Sequence, residues 1–343
     1  MPAVSGARLL PWLSLLAIWI VWSSTYLGMA AAVETIPPFT MTASRFLLAA
    51  PILLATGIPA WRRGTLQLRG PQVRSAALIG VMMLLGGPGL VGLGVTELDS
   101  SLAALIVAMT PIWLSIFSAI QTRTVPKAGV FGALVTGLIG IGIMVGGPGG
   151  NVPIAPALLV LVSTLFWSGG TVISRGLPRP EHAFVNSGLQ MLFGGLALGI
   201  VGALRGEWAE FSAADVSTRS WIGLLWLVVA GSLVAYSAYM YANQTLPIEI
   251  VATYAYVNPV IAVILGATLD DDAVGPNVLI GGGIIVLAVV FIVSGHVIRR
   301  PVPAPIDDLQ GGDQVAMPEP VKAEKPGAIS ATQSPIRTHI EAS

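Results

Sequence analysis

The chain has 343 residues, of which 54% are hydrophobic and only 10% charged, with a net charge of zero and no cysteine. A water-facing globular surface needs about 25% charged residues, so the medium around most of this chain is lipid. Neutral charge argues against a nucleic-acid partner, and the missing cysteines exclude disulfides, iron–sulfur clusters and thiol catalysis.

A helix needs about 20 apolar residues to cross about 30 Å of hydrocarbon. Ten stretches satisfy this in chain order: 10–32, 38–59, 75–95, 100–120, 128–147, 155–174, 184–204, 221–242, 248–269 and 276–297. The expected fold is therefore an all-α integral membrane protein with ten transmembrane helices. The first stretch ends in Ala30-Ala31-Ala32, which resembles a signal-peptide cleavage site. Its apolar core is too long, Trp22, Ser23 and Ser24 interrupt it, and its later echo is internal, so it reads as a retained span. Residues 298–343 are rich in Pro, Gly, Ser and charge without apolar period and read as a disordered cytoplasmic tail.

The spans repeat. Val21-Trp22-Ser23-Ser24 returns 145 residues later as Phe166-Trp167-Ser168-Gly169, and Phe39-Thr40-Met41-Thr42 returns at the same offset as Phe184-Val185-Asn186-Ser187. Thr110-Pro111 returns as Asn258-Pro259, three residues beyond that offset. Two repeats of five spans follow, at 10–147 and 153–297. With the N-terminus in the cytoplasm, the inner loops and termini carry 11 Lys and Arg and the outer loops only Arg205 and Arg219. This positive-inside bias places both termini in the cytoplasm of a cell inner membrane protein. Five is odd, so the second repeat enters upside down, and inverted repeats of this kind place a solute site at their interface.

Some residues break the apolar pattern. Arg45 lies inside the second span, six residues after Phe39, roughly 9 Å in from the outer face. A charge near a helix centre costs about 2.5–3.5 kcal/mol to insert. Arg45 reads either as an anion contact in a cavity or as an arginine snorkelling outward or bonding nearby carbonyls. Its counterpart is the neutral Gln190. Pro111 and Pro259, inside spans 4 and 9, each remove a helix hydrogen bond, and Thr110 and Asn258 stand beside the freed groups. They read as pathway-lining bends or as static kinks. Gly86-Gly87-Pro88-Gly89 interrupts span 3, whereas the corresponding part of span 8 has Gly231-Ser232 and no proline. A broken gate and close helix packing both fit it. The formal fingerprint Gly87-x-Gly89-x-x-Gly92 lacks the strand that a dinucleotide site requires.

Trp22, Ser23, Trp167, Ser168 and the tyrosines 236, 239, 241, 254 and 256 suit either an amphiphilic or aromatic solute or core packing. Glu249 opens span 9 as a proton-coupling carboxylate or a helix-dipole partner. Glycines in spans 5 and 10, among them Gly132, Gly137, Gly140, Gly142 and Gly281 to Gly283, form packing seams within a protomer or in a homodimer. The histidines, 182, 296 and 339, lie at span edges or in the tail, and no nucleophile–base or metal-ligand motif sits within a span. An intramembrane enzyme is set aside on that ground, and no cofactor is expected. A non-transporting scaffold remains the other alternative.

Together, the paired Trp-Ser, Arg45-Phe46, Pro111, Pro259 and glycine-rich fifth spans resemble the EamA family of the drug/metabolite transporter superfamily over residues 10–296. That resemblance implies ten helices and the movement of small metabolites such as amino acids, purines, drugs or sugar-related compounds. The family tends to carry an acid about thirteen positions after each proline. Asp272 fills that place in the second half and Thr124 departs from it in the first. The resulting expectation is an exporter of small organic metabolites working by alternating access. Trp22, Ser23, Arg45, Thr110, Pro111, Trp167, Ser168, Gln190, Tyr254, Asn258 and Pro259 line or gate its cavity, with Glu249 as the possible coupling group.

Overall fold

The computed structural model describes residues 6–125, 128–146, 153–269 and 274–297, and the regular structure among them is helical. Seven helices in this set are long and apolar enough to cross a membrane. They are α1 (Leu9–Val33), α2 (Pro38–Arg62), α3 (Gly70–Gly94), α4 (Ser100–Gln121), α6 (Ile154–Ser174), α7 (Ala183–Leu204) and α8 (Thr218–Thr245). Three further apolar helices are shorter: α5 (Ala128–Gly146), α9 (Tyr254–Leu269) and α10 (Pro276–Val297). Asp272 and residues 298–343 lie outside the described residues.

Large apolar side chains such as Leu13, Ile20, Leu48, Leu225 and Leu287 are exposed on the outside of the bundle. In water that surface would be costly, but against acyl chains it is the natural boundary. Inside, the core runs through one continuous cluster that includes Ile18, Phe46, Met83, Ile112 and Tyr239.

Helix pairing follows the duplication. α2 packs on α7, α5 on α10 and α4 on α9. α1 packs on α8 and α9, and α6 packs on α3 and α4. Exchanging each helix for the one five positions away leaves this set of pairs unchanged. Among the described glycines the tightest approach joins α3 to α7. A Cβ on Gly80 would stand 2.2 Å from the Gln190 carbonyl oxygen, and one on Gly194 would stand 2.6 Å from that of Gly80. Only hydrogens fit there, as at other close membrane crossings. Gly140 likewise meets the Gly281 carbonyl, so part of the glycine seam joins α5 to α10 within the protomer.

Several helices depart from α geometry, each with a local cause. In α1, Ser23 Oγ donates to the Trp19 carbonyl (2.5 Å), Ser24 Oγ to Val21 (2.7 Å) and Thr25 Oγ1 to Trp22 (2.6 Å). Three successive hydroxyls bonding back onto the helix accompany a 3₁₀ turn at Trp22–Ser24. The span-3 glycine–proline stretch does not break α3. Val81–Gly89 instead continues as a π-helix, and Leu227–Tyr236 of α8 does the same without any proline. The two widened turns stand in corresponding places of the two repeats.

The prolines differ from the sequence expectation. α4 breaks at Ala108 and Met109, and Pro111 occupies the first turn of the segment that restarts at Thr110. A proline in a first turn removes no intrahelical bond there, so Pro111 sets a restart rather than bending a continuous helix. Pro259 does lie inside α9, after a break at Ala252 and Thr253. Thr110 Oγ1 donates to the Val107 carbonyl (2.6 Å), an end carbonyl of the segment that stops at Val107.

Candidate functional site

A cavity lies where the two repeats meet. α1 contributes Trp22, Thr25, Tyr26 and Met29, and α2 contributes Arg45. The π-helical part of α3 presents Gly87 and Pro88, α6 brings Ser163 and Trp167, and α9 brings Tyr254 and Asn258. The lining reaches from mid-depth toward the end of the bundle where α1 finishes. Among the described residues, helix α8 contributes no lining residue.

Beneath the cavity the aromatic rings close together. Trp22 meets Trp167 edge-on at 5.2 Å between centroids, and lies 5.0 Å from Tyr239 and 5.5 Å from Tyr254. Trp167 packs 5.1 Å from Tyr239, and its Nε1 donates to the Tyr239 hydroxyl (3.2 Å). The same hydroxyl is 2.7 Å from Thr171 Oγ1. Tyr239 is thus the shared neighbour of both tryptophans and is fully buried. Sequence reasoning had it only as one of several tyrosines. The signal available was its place on α8 one turn after Tyr236, on the same helix face.

Arg45 is buried at 3% exposure. Its Nε donates to Ser232 Oγ (2.8 Å) in the π-helical part of α8, and Ser232 donates onward to the Leu227 carbonyl (3.0 Å). Leu227 is five residues back, the spacing of a π turn. Ser232 was absent from the sequence-stated site, because its partner lies 187 positions away. Arg45 does not snorkel outward and its described hydrogen bond goes to a side chain, so the guanidinium is held against the cavity.

The repeated marks touch one another across the repeats. Ser168 Oγ of α6 donates to the Thr110 carbonyl of α4 (3.2 Å). In the other pair, the Asn258 amide of α9 fits its surroundings with nitrogen turned to α1, 3.3 Å from Ser23 Oγ and 3.2 Å from the Trp19 carbonyl. Trp19 Nε1 adds a bond to Thr253 Oγ1 (3.2 Å). Pro111 and Pro259 do not line the cavity.

Gln190 sits elsewhere. It lines a smaller cavity near the opposite end of the bundle, with Ser75, Ser174, Asn186 and Gln244. It accepts from the Tyr236 hydroxyl (2.6 Å). The aromatic cluster therefore separates an Arg45 cavity from a Gln190 cavity. Glu249 belongs to the short helix Ile248–Val251, and its side chain lies outside the described residues.

Polar clasps tie helices together toward both ends. Where α1 finishes, Arg219 pairs with Glu34 (3.2 Å), Ser220 Oγ donates to the Ala31 carbonyl (2.8 Å) and Trp226 Nε1 donates to Ser24 Oγ (3.1 Å). At the other end Arg175 donates from Nε to Asn243 Oδ1 (3.0 Å) and from Nη2 to the Leu246 carbonyl (3.2 Å), while Gln72 Nε2 donates to the Arg179 carbonyl (3.0 Å). Among the described residues no cluster of three metal-ligating side chains occurs.

The profile of the EamA-like transporter family matches residues 10–146 and again 154–294. The chain belongs to that family. It is 34% identical over 307 residues to YedA, described as an uncharacterized inner membrane transporter of Escherichia coli strain K12, covering 85% of this chain and 94% of that one. It is 25% identical over 280 residues to an S-adenosylmethionine/S-adenosylhomocysteine transporter of Chlamydia trachomatis serovar L2, covering 78% and 84%. A crystal structure at 20% identity covers 87% of this chain and all of its own, with a TM-score of 0.58, and supports the fold alone. The family and these names point to a multi-pass membrane transporter of small molecules.

Proposed function

We infer that this EamA-like protein is a secondary carrier, working in the export direction in the cell inner membrane, for small organic metabolites such as amino acids or drug-like amphiphiles. Its path runs between two inverted five-helix repeats, which makes ten spans with both termini in the cytoplasm. One observation carries the reading: the central cavity draws its walls from both repeats, at a depth where the Trp-Ser and Asn-Pro marks of the two halves meet. The exchange symmetry of helix pairing and the charge bias of the loops support the inverted arrangement. Alternating access then means that the rings beneath the cavity part as the clasp between Glu34 and Arg219 tightens.

The domain reading follows the same division, with repeats at 10–147 and 153–297 and a cytoplasmic tail. Gly132, Gly142 and Gly283 face open space and offer α5 and α10 as the surface of a homodimer. Glu249 is the proposed proton-coupling group. Transport by Glu249→Gln that kept its full pH dependence would clear it of that role.

The test is expression in a host stripped of related exporters, beside empty vector and Arg45→Ala. The intact chain should change extracellular metabolites or resistance to toxic analogues. Identity with empty vector across a broad amino-acid and drug panel would overturn the carrier reading.

A further inference from the structure

The charge balance of the cavity goes further than its membership in a carrier. Among the described lining residues Arg45 is the sole ionisable cation, and there is no acid. The two described ion pairs, Arg205 with Glu207 and Arg219 with Glu34, both lie toward an end of the bundle. Within the described residues Arg45 has one hydrogen bond, from Nε to Ser232, and a ring contact, its guanidinium carbon standing 4.9 Å from the Phe46 centroid. Neither Nη nitrogen has a hydrogen-bond partner in that set. The Ser232 hydroxyl is already committed, accepting from Arg45 and donating to Leu227. Position is fixed as well. A Cβ on Gly231 would stand 2.6 Å from Nη2, so the absent side chain is the space the guanidinium uses.

A cation that buried is costly to keep charged unless an anion or water meets it. Its two outer nitrogens form the fork that binds a carboxylate through two parallel bonds. One fixed positive charge is neutralised by one negative charge. A dianion would leave an excess charge in a poorly solvated site, and an ammonium compound would double the positive charge. The remaining walls include rings: Trp22, Trp167 and Tyr254 pack against one another and present an aromatic floor on which an apolar body can rest. Ser163 and Asn258 supply neutral polar edges.

We propose that the cavity is selective for monoanionic carboxylates with a flat, apolar body, the carboxylate seated on the Arg45 fork and the body resting against the aromatic floor of Trp22, Trp167 and Tyr254. This rests on the carrier reading only in taking the cavity as the solute site. Ser232 acts as a positioning residue that aims the guanidinium.

The experiment uses the purified full chain and matched probes: indole-3-acetate, phenylacetate and 1-naphthoate, each against its amide and the corresponding amine. Ligand-dependent shifts of the melting temperature yield apparent affinities. The acids should bind at least about tenfold more tightly than amides or amines, the loss expected when a buried charged donor is left unmatched. Arg45→Gln should bind acid and amide alike. Ser232→Ala should bind the acids several-fold more weakly while keeping the preference for an anion. Equal or better binding of amides or amines by the unaltered chain overturns the proposal without need of any variant. So does an absence of acid binding, or an anion preference that survives in a folded Arg45→Gln. Flux of the same labelled compounds into proteoliposomes separates the two readings. Acid binding without flux removes the carrier reading and leaves the anion site, whereas flux of amides in preference to acids does the reverse.

Discussion

Ser168 donates its hydroxyl to the backbone carbonyl of Thr110 over 3.2 Å, joining the Trp-Ser mark of one repeat to the Thr-Pro mark of the other. Its counterpart across the interface is the Asn258 amide against Ser23. Each repeat thus supplies a hydroxyl from its first helix and a polar group beside the proline of its fourth. The two bonds flank the aromatic cluster on α1 and α6, so they hold the helices that must separate if solute is to pass.

Ser168→Ala removes one interhelical bond, and the expected loss is about 0.6–1 kcal/mol of stability, the usual worth of such bonds within membranes. Asn258→Ala leaves more unmatched, because its amide serves both Ser23 and Trp19. Chemical denaturation of the pair, singly and together in a double-mutant cycle, should give near-additive losses, since no described hydrogen bond joins Ser168 to Asn258.

Gly80→Ala places a methyl within 2.2 Å of the Gln190 carbonyl oxygen, and backbone on a packed helix cannot swing aside. Overpacking of this kind costs about 1–3 kcal/mol. A melting temperature several degrees lower is expected, with Gly64→Ala on the exposed loop as the control for general handling. Gly64 carries a φ of +70°, so its own cost is local strain and not helix separation.

Glu207 is buried in the short helix Glu207–Glu210 that connects α7 to α8, where its Oε2 accepts from the Thr40 backbone N–H (2.8 Å) and hydroxyl (3.2 Å). Thr40 lies in the first turn of α2, so the carboxylate satisfies an orphan donor and meets the positive end of the helix. Glu207→Ala should cost about 1–2 kcal/mol, with Glu207→Gln recovering part of it. Hydrogen exchange confined to the first turn of α2 is the diagnostic readout.

The Arg175–Asn243 clasp holds α6 to α8 on the side away from the Arg45 cavity. Asn243→Ala removes the bond from Arg175 Nε and should favour opening of that end. A loss of one charge-assisted bond, about 1.5–3 kcal/mol, shifts a two-state population by more than tenfold. Labelling of a cysteine placed at Gln244 should rise accordingly.

Much of this was legible because particular residues violated the apolar rule. Arg45 stood out as a charge in a lipid-soluble stretch, and Trp22, Ser23, Trp167 and Ser168 stood out by recurring at one offset. Their partners were hidden for a physical reason. A hydroxyl such as Ser232 is unremarkable inside a membrane helix until a charge from another helix reaches it. The π turn of α8 carries no proline to announce it, and the restart of α4 precedes Pro111 instead of following from a kink at it. Gln190 matched Arg45 by offset, yet the fold sets it in a second cavity. The duplication displaces the two residues to opposite sides of the ring cluster.

The chain contains no cysteine, which makes single-cysteine accessibility the most direct test of alternating access. Met29→Cys reports the Arg45 cavity and Gln244→Cys the Gln190 cavity. In sealed vesicles, a membrane-impermeant maleimide should reach Met29→Cys from the periplasmic face and Gln244→Cys from the cytoplasmic face. Addition of Asn243→Ala should lower the first rate while raising the second. Labelling of both sites from the same face, or two rates that do not change reciprocally, would contradict the account.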